Sequence, residues 1–536
     1  MGYPPPKDPT LQVDEGDSTI LPGSLLFAFD NSYARLPAAF YRFCNPTPVA
    51  APRLLKINAA LARELGLRLE GLDEHALAEI FAGNRLPEGA QPLAMAYAGH
   101  QFGNMVPQLG DGRAILLGEV IDHQGRRRDI QLKGAGRTPF SRGGDGRAPL
   151  GPVIREYLVS EAMHALGIPT TRALAAVGTG EQVIREQLLP GAVITRVAAS
   201  HIRVGTFEFF ALRRDFATLR TLADYVIQRH YQGIGGPEVG GAEIKGSEIN
   251  ERGINGSEGN SRYLRLLEAV IGRQAELVAQ WMGIGFIHGV MNTDNTTISG
   301  ETIDYGPCAF MDNYHPETVF SSIDSGGRYA YQMQPRIAQW NMARFAESLL
   351  PLLDDDRAQA IAQTTALLHD FIPRYQKAWL TRMGGKIGLS TPKQDDQKLI
   401  EELFAAMADN EVDFTLFFRR LCNAVENPTN PDEIRPLFTQ PDAWESWAER
   451  WSKRLAADPL SSAERAKRMR ALNPAVIPRN HRIEQAITKA TKADDFSDFE
   501  RLNQALAHPW EEDPERDQWL APPTPAERVQ RTFCGT

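Results

Sequence analysis

The stretch HGVMNTDNTTISGETIDYG, residues 288–306, decides how this chain is read. Thr296-Thr297-Ile298 and Thr302-Ile303 are β-branched runs on either side of Ser299-Gly300-Glu301, which predicts two short strands joined by a hairpin turn. A hairpin brings its outer ends together, so Asn295 and Asp304 are expected to face each other across the open end. An amide oxygen and a carboxylate placed there can share one hard divalent cation and the oxygens of a triphosphate. Asn and Asp also cap ordinary turns, so the assignment depends on what lies upstream.

The same stretch is similar to a protein-kinase catalytic loop that has lost its central residue. The pattern H-R-D-x-x-x-x-N sets a metal-binding Asn seven residues after the His, with a D-F-G Asp downstream. Asn295 stands seven after His288, and Asp304-Tyr305-Gly306 reads as the D-F-G. The catalytic Asp is replaced by Val290, while a carboxylate appears instead at Asp294, next to the metal Asn. The machinery for Mg·ATP is kept and the usual base for a hydroxyl acceptor is missing.

Upstream, Ala114–Ile121 and residues 128–133 predict a second hairpin about His123-Gln124-Gly125. Alternation puts Ile130 and Leu132 on one face of its return strand and Gln131 and Lys133 on the other. Lys133 then stands where a kinase has the strand lysine that reaches the nucleotide phosphates. Before this hairpin come Gly99-His100-Gln101-Phe102-Gly103 and Gly110-Asp111-Gly112-Arg113, and glycines of this kind let backbone N–H groups approach phosphate. After Lys133 comes GAGRTPFSRGGDGRAPLG, with Arg137, Arg142, Asp145, Gly146 and Arg147, a composition suited to an anion-binding loop. A helix is predicted over about Leu150–Leu166, with Val153, Ile154, Tyr157, Leu158, Ala162 and Leu166 on its apolar arc. It should supply the acid that pairs with Lys133, and the helical arc leaves Glu156 and Glu161 both open. Arg196 ends an apolar strand-like run and Arg203 follows seven residues later. Kinases have no counterpart for this pair, and surface arginines are its plain explanation.

Taken together, the run GHQFG, QLGDGR, LKGAGRTPFSRGGDGRAPLG, REY, TRVAASHIRVG, HGVMNTDN and DYGPCAFMD closely resembles the selenoprotein O family, over most of the chain from about Pro46 to Gln334. That resemblance implies an α+β, protein-kinase-like two-lobed fold, in a family first classed as pseudokinases. It implies an AMPylator: a protein adenylyltransferase that moves AMP, not phosphate, from ATP to Ser, Thr and Tyr hydroxyls of proteins, releases pyrophosphate and uses magnesium or manganese. It also implies ATP bound in a flipped orientation. By motif, Gly110, Gly112, Arg113, Lys133, Asp145 and Gly146 would then bind nucleotide, and Arg196 and Arg203 its terminal phosphates. Asn295 and Asp304 would bind the metal, with Asp304 also contacting the nucleotide, and Asp294 would be the proton acceptor. Cys534, third from the end, marks the cysteine version of a family whose selenocysteine lies near the C-terminus.

Composition agrees with a large enzyme. With 536 residues the chain can bury several cores. Its 58 basic and 67 acidic residues give a net charge of −9, which argues against a nucleic-acid or anionic-membrane partner. No run of apolar residues is long enough to span a membrane, and the opening MGYPPPKDPT reads as neither a signal peptide nor a transit peptide. Cys44, Cys308, Cys422 and Cys534 lack the spacing of a disulfide scaffold or zinc ribbon. A cytoplasmic monomer is the expectation. Cys308 sits four residues past Asp304, and a tail thiol at Cys534 able to reach it could form a reversible disulfide.

Residues 1–50 read as an extended, proline-containing arm and 51–215 as a small lobe of hairpins with one main helix. Residues 216–390 read as a helical large lobe, in which Leu264–Met282 leads into the catalytic loop. Helices are also expected at Ile337–Leu353, at Ala358–Arg382 with a break at Pro373, at Asp396–Met407 and at Phe414–Val425. Residues 391–536 form a mostly helical extension. The segment 233–260 is rich in Gly, Glu and Asn and reads as a disordered insertion dispensable for chemistry. A phosphotransferase using the same Mg·ATP site, and an inactive ATP-binding scaffold, are the alternatives to AMP transfer.

Overall fold

The structure, a computed structural model, describes residues 26–234, 258–354, 356–426, 433–513 and 517–533. The 233–260 insertion and Cys534 therefore lie almost wholly outside the described residues, as does the start of the N-terminal arm.

The fold is mixed α and β around an eight-stranded sheet. Its strands are β1 (Tyr41–Phe43), β2 (Arg53–Ile57), β3 (Leu93–Met95), β4 (Ala114–Ile121), β5 (Arg127–Lys133), β6 (Ala148–Pro149), β7 (Arg172–Ile184) and β8 (Leu188–Ala198). They lie in the order β1-β3-β4-β5-β8-β7-β2, with β6 beside β8, and every pairing is antiparallel. The β4–β5 hairpin forms as its sequence predicts. Asp122 closes the turn by accepting from the backbone N–H groups of Gln124 and Arg126, both at 2.9 Å.

Alternation along these strands separates two environments. Ile115, Leu117, Ile130, Leu132, Val177, Val193 and Val197 pack into one core with Leu77, Ile80 and Phe81 of the Glu74–Ala82 helix. The opposite face carries Leu116, Ala173, Ala176 and Ile194 against the Leu150–Ala165 helix. On that second face Gln131, Lys133 and Arg196 turn inward, so the sheet displays a polar strip beside an apolar one. The helix that covers it is followed by Gly167, which is left-handed at φ of +75°, and the Ile168 N–H returns to the Met163 carbonyl at 2.9 Å.

The part of the arm that is described is not a free extension. Phe27, Tyr33 and Phe40 are buried, Phe29 bridges Val120, and Tyr41–Phe43 is the edge strand β1. Apolar side chains on this segment cover sheet area that 51–215 alone would leave exposed.

From Val204 onward the described elements are mostly helices, with one short antiparallel pair of strands, Phe286–Ile287 and Ala309–Phe310. The Glu258–Gly283 helix packs between Gln334–Leu353 and Phe371–Lys386. The helix expected over Ala358–Arg382 is two, Arg357–His369 and Phe371–Lys386, and the break falls at Asp370 instead of Pro373. Pro373 sits in the first turn of the second helix, where no intrahelical N–H bond is lost. In the extension, Trp444, Trp447 and Trp451 bury one face of Pro441–Ala456. The Asn480–Ala493 and Ser497–Leu506 helices return to pack on Leu150–Ala165, with an Arg155–Glu484 ion pair and Tyr157 edge-on to Phe499 at 5.5 Å.

The hairpin expected over 296–303 does not form. Thr297 bridges Arg203 and Thr302 bridges Thr170, so the two runs pair with other segments and not with each other. The turn is held by the Thr297 hydroxyl, which donates to the Glu301 carbonyl at 2.6 Å and accepts from the Glu301 N–H at 2.9 Å. This side chain competes with ladder bonds for the same backbone groups. No helix among the described residues is long and apolar enough to cross a membrane.

Candidate active site

A cavity of about 480 Å³ is lined by Gly110, Gly112, Arg113, Lys133, Asp145, Gly146, Arg196, Arg203, Asp294, Asn295 and Asp304. These eleven residues come from widely separated stretches of chain. Strand β5 presents Lys133, the adjacent β8 presents Arg196, and the turn after β8 presents Arg203.

Asp304 is the hub. Lys133 Nζ lies 3.0 Å from its Oδ1, Arg196 Nη1 2.6 Å from the same oxygen, and Arg203 Nη1 2.7 Å from Oδ2. Burial alone would raise the Asp304 pKa, but the three cations outweigh it and hold the carboxyl well below its usual range. Its backbone is left-handed, with φ of +62°, a conformation Asp tolerates better than most residues.

Glu156, not Glu161, is the acid that pairs with the strand lysine. Lys133 Nζ donates to Glu156 Oε2 at 2.6 Å and Arg196 Nη1 to Oε1 at 3.2 Å. Burial again acts upward, and Lys133 and Arg196 bring the Glu156 pKa below normal. Glu161 faces away and takes Arg172 at 2.9 and 2.8 Å and Asn58 at 2.8 Å. Five residues are about one turn and a half of helix, which sets the two carboxylates on different faces.

Arg196 and Arg203 are not surface arginines; each is only 2–3% exposed. Gln131 Oε1 accepts from Arg196 Nη2 at 2.5 Å, and Gln131 Nε2 donates to Asp111 Oδ2 at 3.2 Å. Asp111 Oδ1 stands 3.9 Å from Arg203, whose guanidinium lies 4.7 Å from the Tyr97 ring centroid. Asp111, Gln131 and Tyr97 thus support the arginine pair. The sequence signals were slight: Asp111 stands between Gly110 and Gly112, and Gln131 is on the Lys133 face of its strand.

The glycines serve loop-to-loop contact. A Cβ on Gly110, at φ of +77°, would stand 2.4 Å from Phe140 Cγ, and one on Gly146, at φ of +68°, would stand 2.0 Å from the Gly136 carbonyl oxygen. Asp145 is bound by Arg185 at 2.8 Å and 3.1 Å and accepts from the Arg147 N–H at 2.9 Å.

Asp294 is buried, and burial raises its pKa to about 6. Oδ2 accepts from Gln101 Nε2 at 3.2 Å, while Oδ1 has no hydrogen-bond partner among the described residues. A buried carboxylate oxygen left without a donor is rare unless something else uses it. Asn295 Nδ2 donates to the Val290 carbonyl at 2.9 Å, which leaves Oδ1 to accept. With the Asp304 carboxylate it makes an all-oxygen donor set, suited to Mg²⁺ or Mn²⁺. Among the described residues no group of three His, Cys, Asp or Glu could hold a metal by itself; an ion held at Asn295 and Asp304 would need further oxygens to complete its shell.

Cys308 is fully buried and its thiol is pushed up to about 12 by burial. Thr532 Oγ1 donates to the neighbouring Pro307 carbonyl at 2.5 Å, so the described tail runs beside this segment; Cys534 itself lies outside the described residues.

Comparison with known proteins gives the same direction. A family model described as "Protein adenylyltransferase SelO" matches residues 24–507. Among curated relatives, the chain is 58% identical over 510 residues to "Protein nucleotidyltransferase YdiU" of Rhizobium meliloti (strain 1021), covering 95% of this chain and 99% of that protein. It is 59% identical over 508 residues to the protein of that name from Rhizobium rhizogenes, covering 95% and 97%. The Rhodopseudomonas palustris (strain BisB5) protein is 58% identical over 512 residues, covering 95% and 99%.

Proposed function

The chain belongs to the SelO family of protein adenylyltransferases, and on that premise we propose a division of labour for the residues of its cavity. The enzyme is a protein nucleotidyltransferase that moves AMP from ATP to protein. The acceptors we assign are Ser, Thr and Tyr hydroxyls.

The observation that carries the assignment is the meeting of Lys133, Arg196 and Arg203 on Asp304, in a cavity that Asp294 also lines. Arg196 and Arg203 would hold the terminal phosphates, with Lys133 held in reach by Glu156. Gly110, Gly112, Arg113, Asp145 and Gly146 would border the rest of the nucleotide. Asn295 and Asp304 would hold the divalent ion, which when bound supplies positive charge to the triphosphate. Buried cations preset at the terminal phosphates cost no reorganisation as charge moves onto pyrophosphate.

Asp294 would take the acceptor proton. The acceptor oxygen bonds to the α-phosphorus as the bond from that phosphorus to the oxygen bridging to the β-phosphorus breaks. Pyrophosphate then leaves with the electron pair. A carboxylate raised to about 6 by burial is still largely ionised at neutral pH and is a stronger base than an exposed one.

The sheet-bearing part and the helical part around Glu258–Gly283 correspond, in this reading, to the small lobe (51–215) and large lobe (216–390) of a kinase-like fold. Of the 391–536 extension, the Asn480–Ala493 and Ser497–Leu506 helices brace the Glu156 helix from outside. A cytoplasmic monomer belongs to the same proposal.

The test is which phosphorus is transferred. Label from ATP carrying radioactivity at the α-phosphorus should become attached to protein, and label from the γ-phosphorus should not. Transfer from the γ position alone would restore the phosphotransferase reading, and transfer from neither would leave an ATP-binding scaffold.

A further inference from the structure

The segment Gly99–Gln101 pairs with Asn104–Val106 in a small hairpin of its own, apart from the main sheet. Three successive residues of it are tied to the loop that carries Asp294. The His100 N–H donates to Thr293 Oγ1 at 2.7 Å, Gln101 Nε2 to Asp294 Oδ2 at 3.2 Å, and the Phe102 N–H to Asn292 Oδ1 at 3.0 Å. Gly99 lies so close that a Cβ there would stand 2.6 Å from Asp294 Oδ1.

At the tip, Phe102 has φ of +50°, a left-handed conformation that is costly for a bulky aromatic residue and that Gly would adopt freely. The strain is held by the bond to Asn292, which also accepts from the Tyr329 hydroxyl at 2.6 Å, and by the Tyr329 ring, 5.0 Å from that of Phe102. Such strain persists only where surrounding structure imposes it, and it keeps this ring on the cavity wall.

Ile323 lines the same cavity and is 60% exposed. It sits on a fixed turn. The Ser322 N–H donates to the Thr532 carbonyl at 3.0 Å, and Asp324 accepts from the N–H groups of Arg328 and Tyr329 at 2.9 and 2.8 Å. A large aliphatic side chain kept in water on a rigid support, at a cavity that also carries Lys133, Arg196 and Arg203, is suited to an apolar partner that arrives with the reaction.

We propose that Phe102 and Ile323 are specificity-determining residues of the acceptor site, holding an apolar side chain that neighbours the modified hydroxyl in the acceptor polypeptide. This rests on the adenylyl-transfer reading, because it is that reaction which requires a hydroxyl to reach Asp294. The hairpin ties the two tasks together: the residues that fix Phe102 also fix the loop bearing the base.

The experiment uses the full-length enzyme, α-labelled ATP and an array of synthetic peptides, each with one central Ser, Thr or Tyr and varied neighbours. Peptides with Leu, Ile or Phe beside the hydroxyl should be labelled best. Phe102→Ala and Ile323→Ser should each raise the peptide KM by about tenfold or more, the scale of one lost apolar contact in a pocket, with the ATP KM unchanged. Phe102→Gly, which relieves the backbone while deleting the ring, should behave like Phe102→Ala. The exposed Ile323→Ser variant keeps the test valid if the Phe102 variants fold poorly. A rise in the ATP KM with the peptide KM unchanged would overturn the proposal and make these residues part of the nucleotide site, and no preference among peptides would overturn it as well. If the wild-type enzyme labels no protein or peptide from the α position, the adenylyl-transfer reading itself falls and this proposal with it.

Discussion

Arg196 and Asp304 form an ion pair of 2.6 Å, although one is the candidate ligand for phosphate and the other for the metal. Arg203 adds a second contact to the same carboxylate at 2.7 Å. In the proposed assignment a metal–triphosphate complex would satisfy both kinds of partner at once, since the ion would take the carboxylate and the phosphates the arginines. The site is thus neutralised internally by the very groups that substrate would separate.

Asp304→Ala should therefore have two opposite effects. AMP transfer should be lost, because in the proposed assignment the divalent ion is the largest local charge and Asp304 would supply one of its two protein ligands. Binding of ATP in the presence of a chelator should tighten, because Lys133, Arg196 and Arg203 lose the anion that occupies them. Calorimetry with and without chelator checks both, and weaker metal-free binding would refute the neutralising role.

Glu156→Gln and Glu161→Gln should differ in kind. The first leaves Lys133 and Arg196 short of a buried counter-charge, an imbalance that costs about 3 kcal/mol. Added ATP should then raise its melting temperature by more than it raises that of the wild type. The second breaks the Arg172 and Asn58 contacts and should lower stability with unchanged ATP affinity. Equal ATP responses in the two variants would count against Glu156 as the lysine partner.

Arg196→Ala should weaken ATP binding by roughly 1.5–3 kcal/mol, the worth of a charged hydrogen bond, and leave AMP binding nearly unchanged. The ratio of the two dissociation constants is the measurement. If AMP binding falls as much as ATP binding, Arg196 does not hold terminal phosphates.

Asp294→Asn keeps the shape and hydrogen-bonding capacity of the side chain and removes its basicity. Single-turnover AMP transfer should slow by about 10²–10⁴-fold, the usual contribution of a general base, with ATP affinity little altered. A small drop in rate would assign the proton to another acceptor.

Exchange of residues 235–257 for a short Gly-Ser linker should leave ATP affinity and AMP transfer intact. The segment offers little apolar area to a core, and loop length weighs only weakly on stability. Loss of nucleotide binding would place part of it in the site.

Much of this protein was legible in its residues. Period-two alternation from Arg128 to Lys133 assigned Lys133 to the polar face, and the structure has it there beside Gln131. The stretch that pairs His288 with Asn295 and Asp304 in sequence does bring Asn295 and Asp304 to one cavity, even though the hairpin invoked to do so is absent. Local pattern carries such information because side-chain direction repeats with the backbone. The choice between Glu156 and Glu161 was not legible, since both lie on one amphipathic helix and only the sheet beneath it distinguishes them.

By itself, then, the sequence determined the elements and the chemical types in the site: a strand lysine, an arginine pair, an amide and two carboxylates. Only the tertiary structure decided that Arg196 and Arg203 are buried, that Asp111 and Gln131 brace them, and that the Gly99–Val106 hairpin clamps Asp294. Burial and ion pairing depend on which segments meet across a hundred or more residues. Such meetings follow from packing of the whole chain, which no local period in the sequence records.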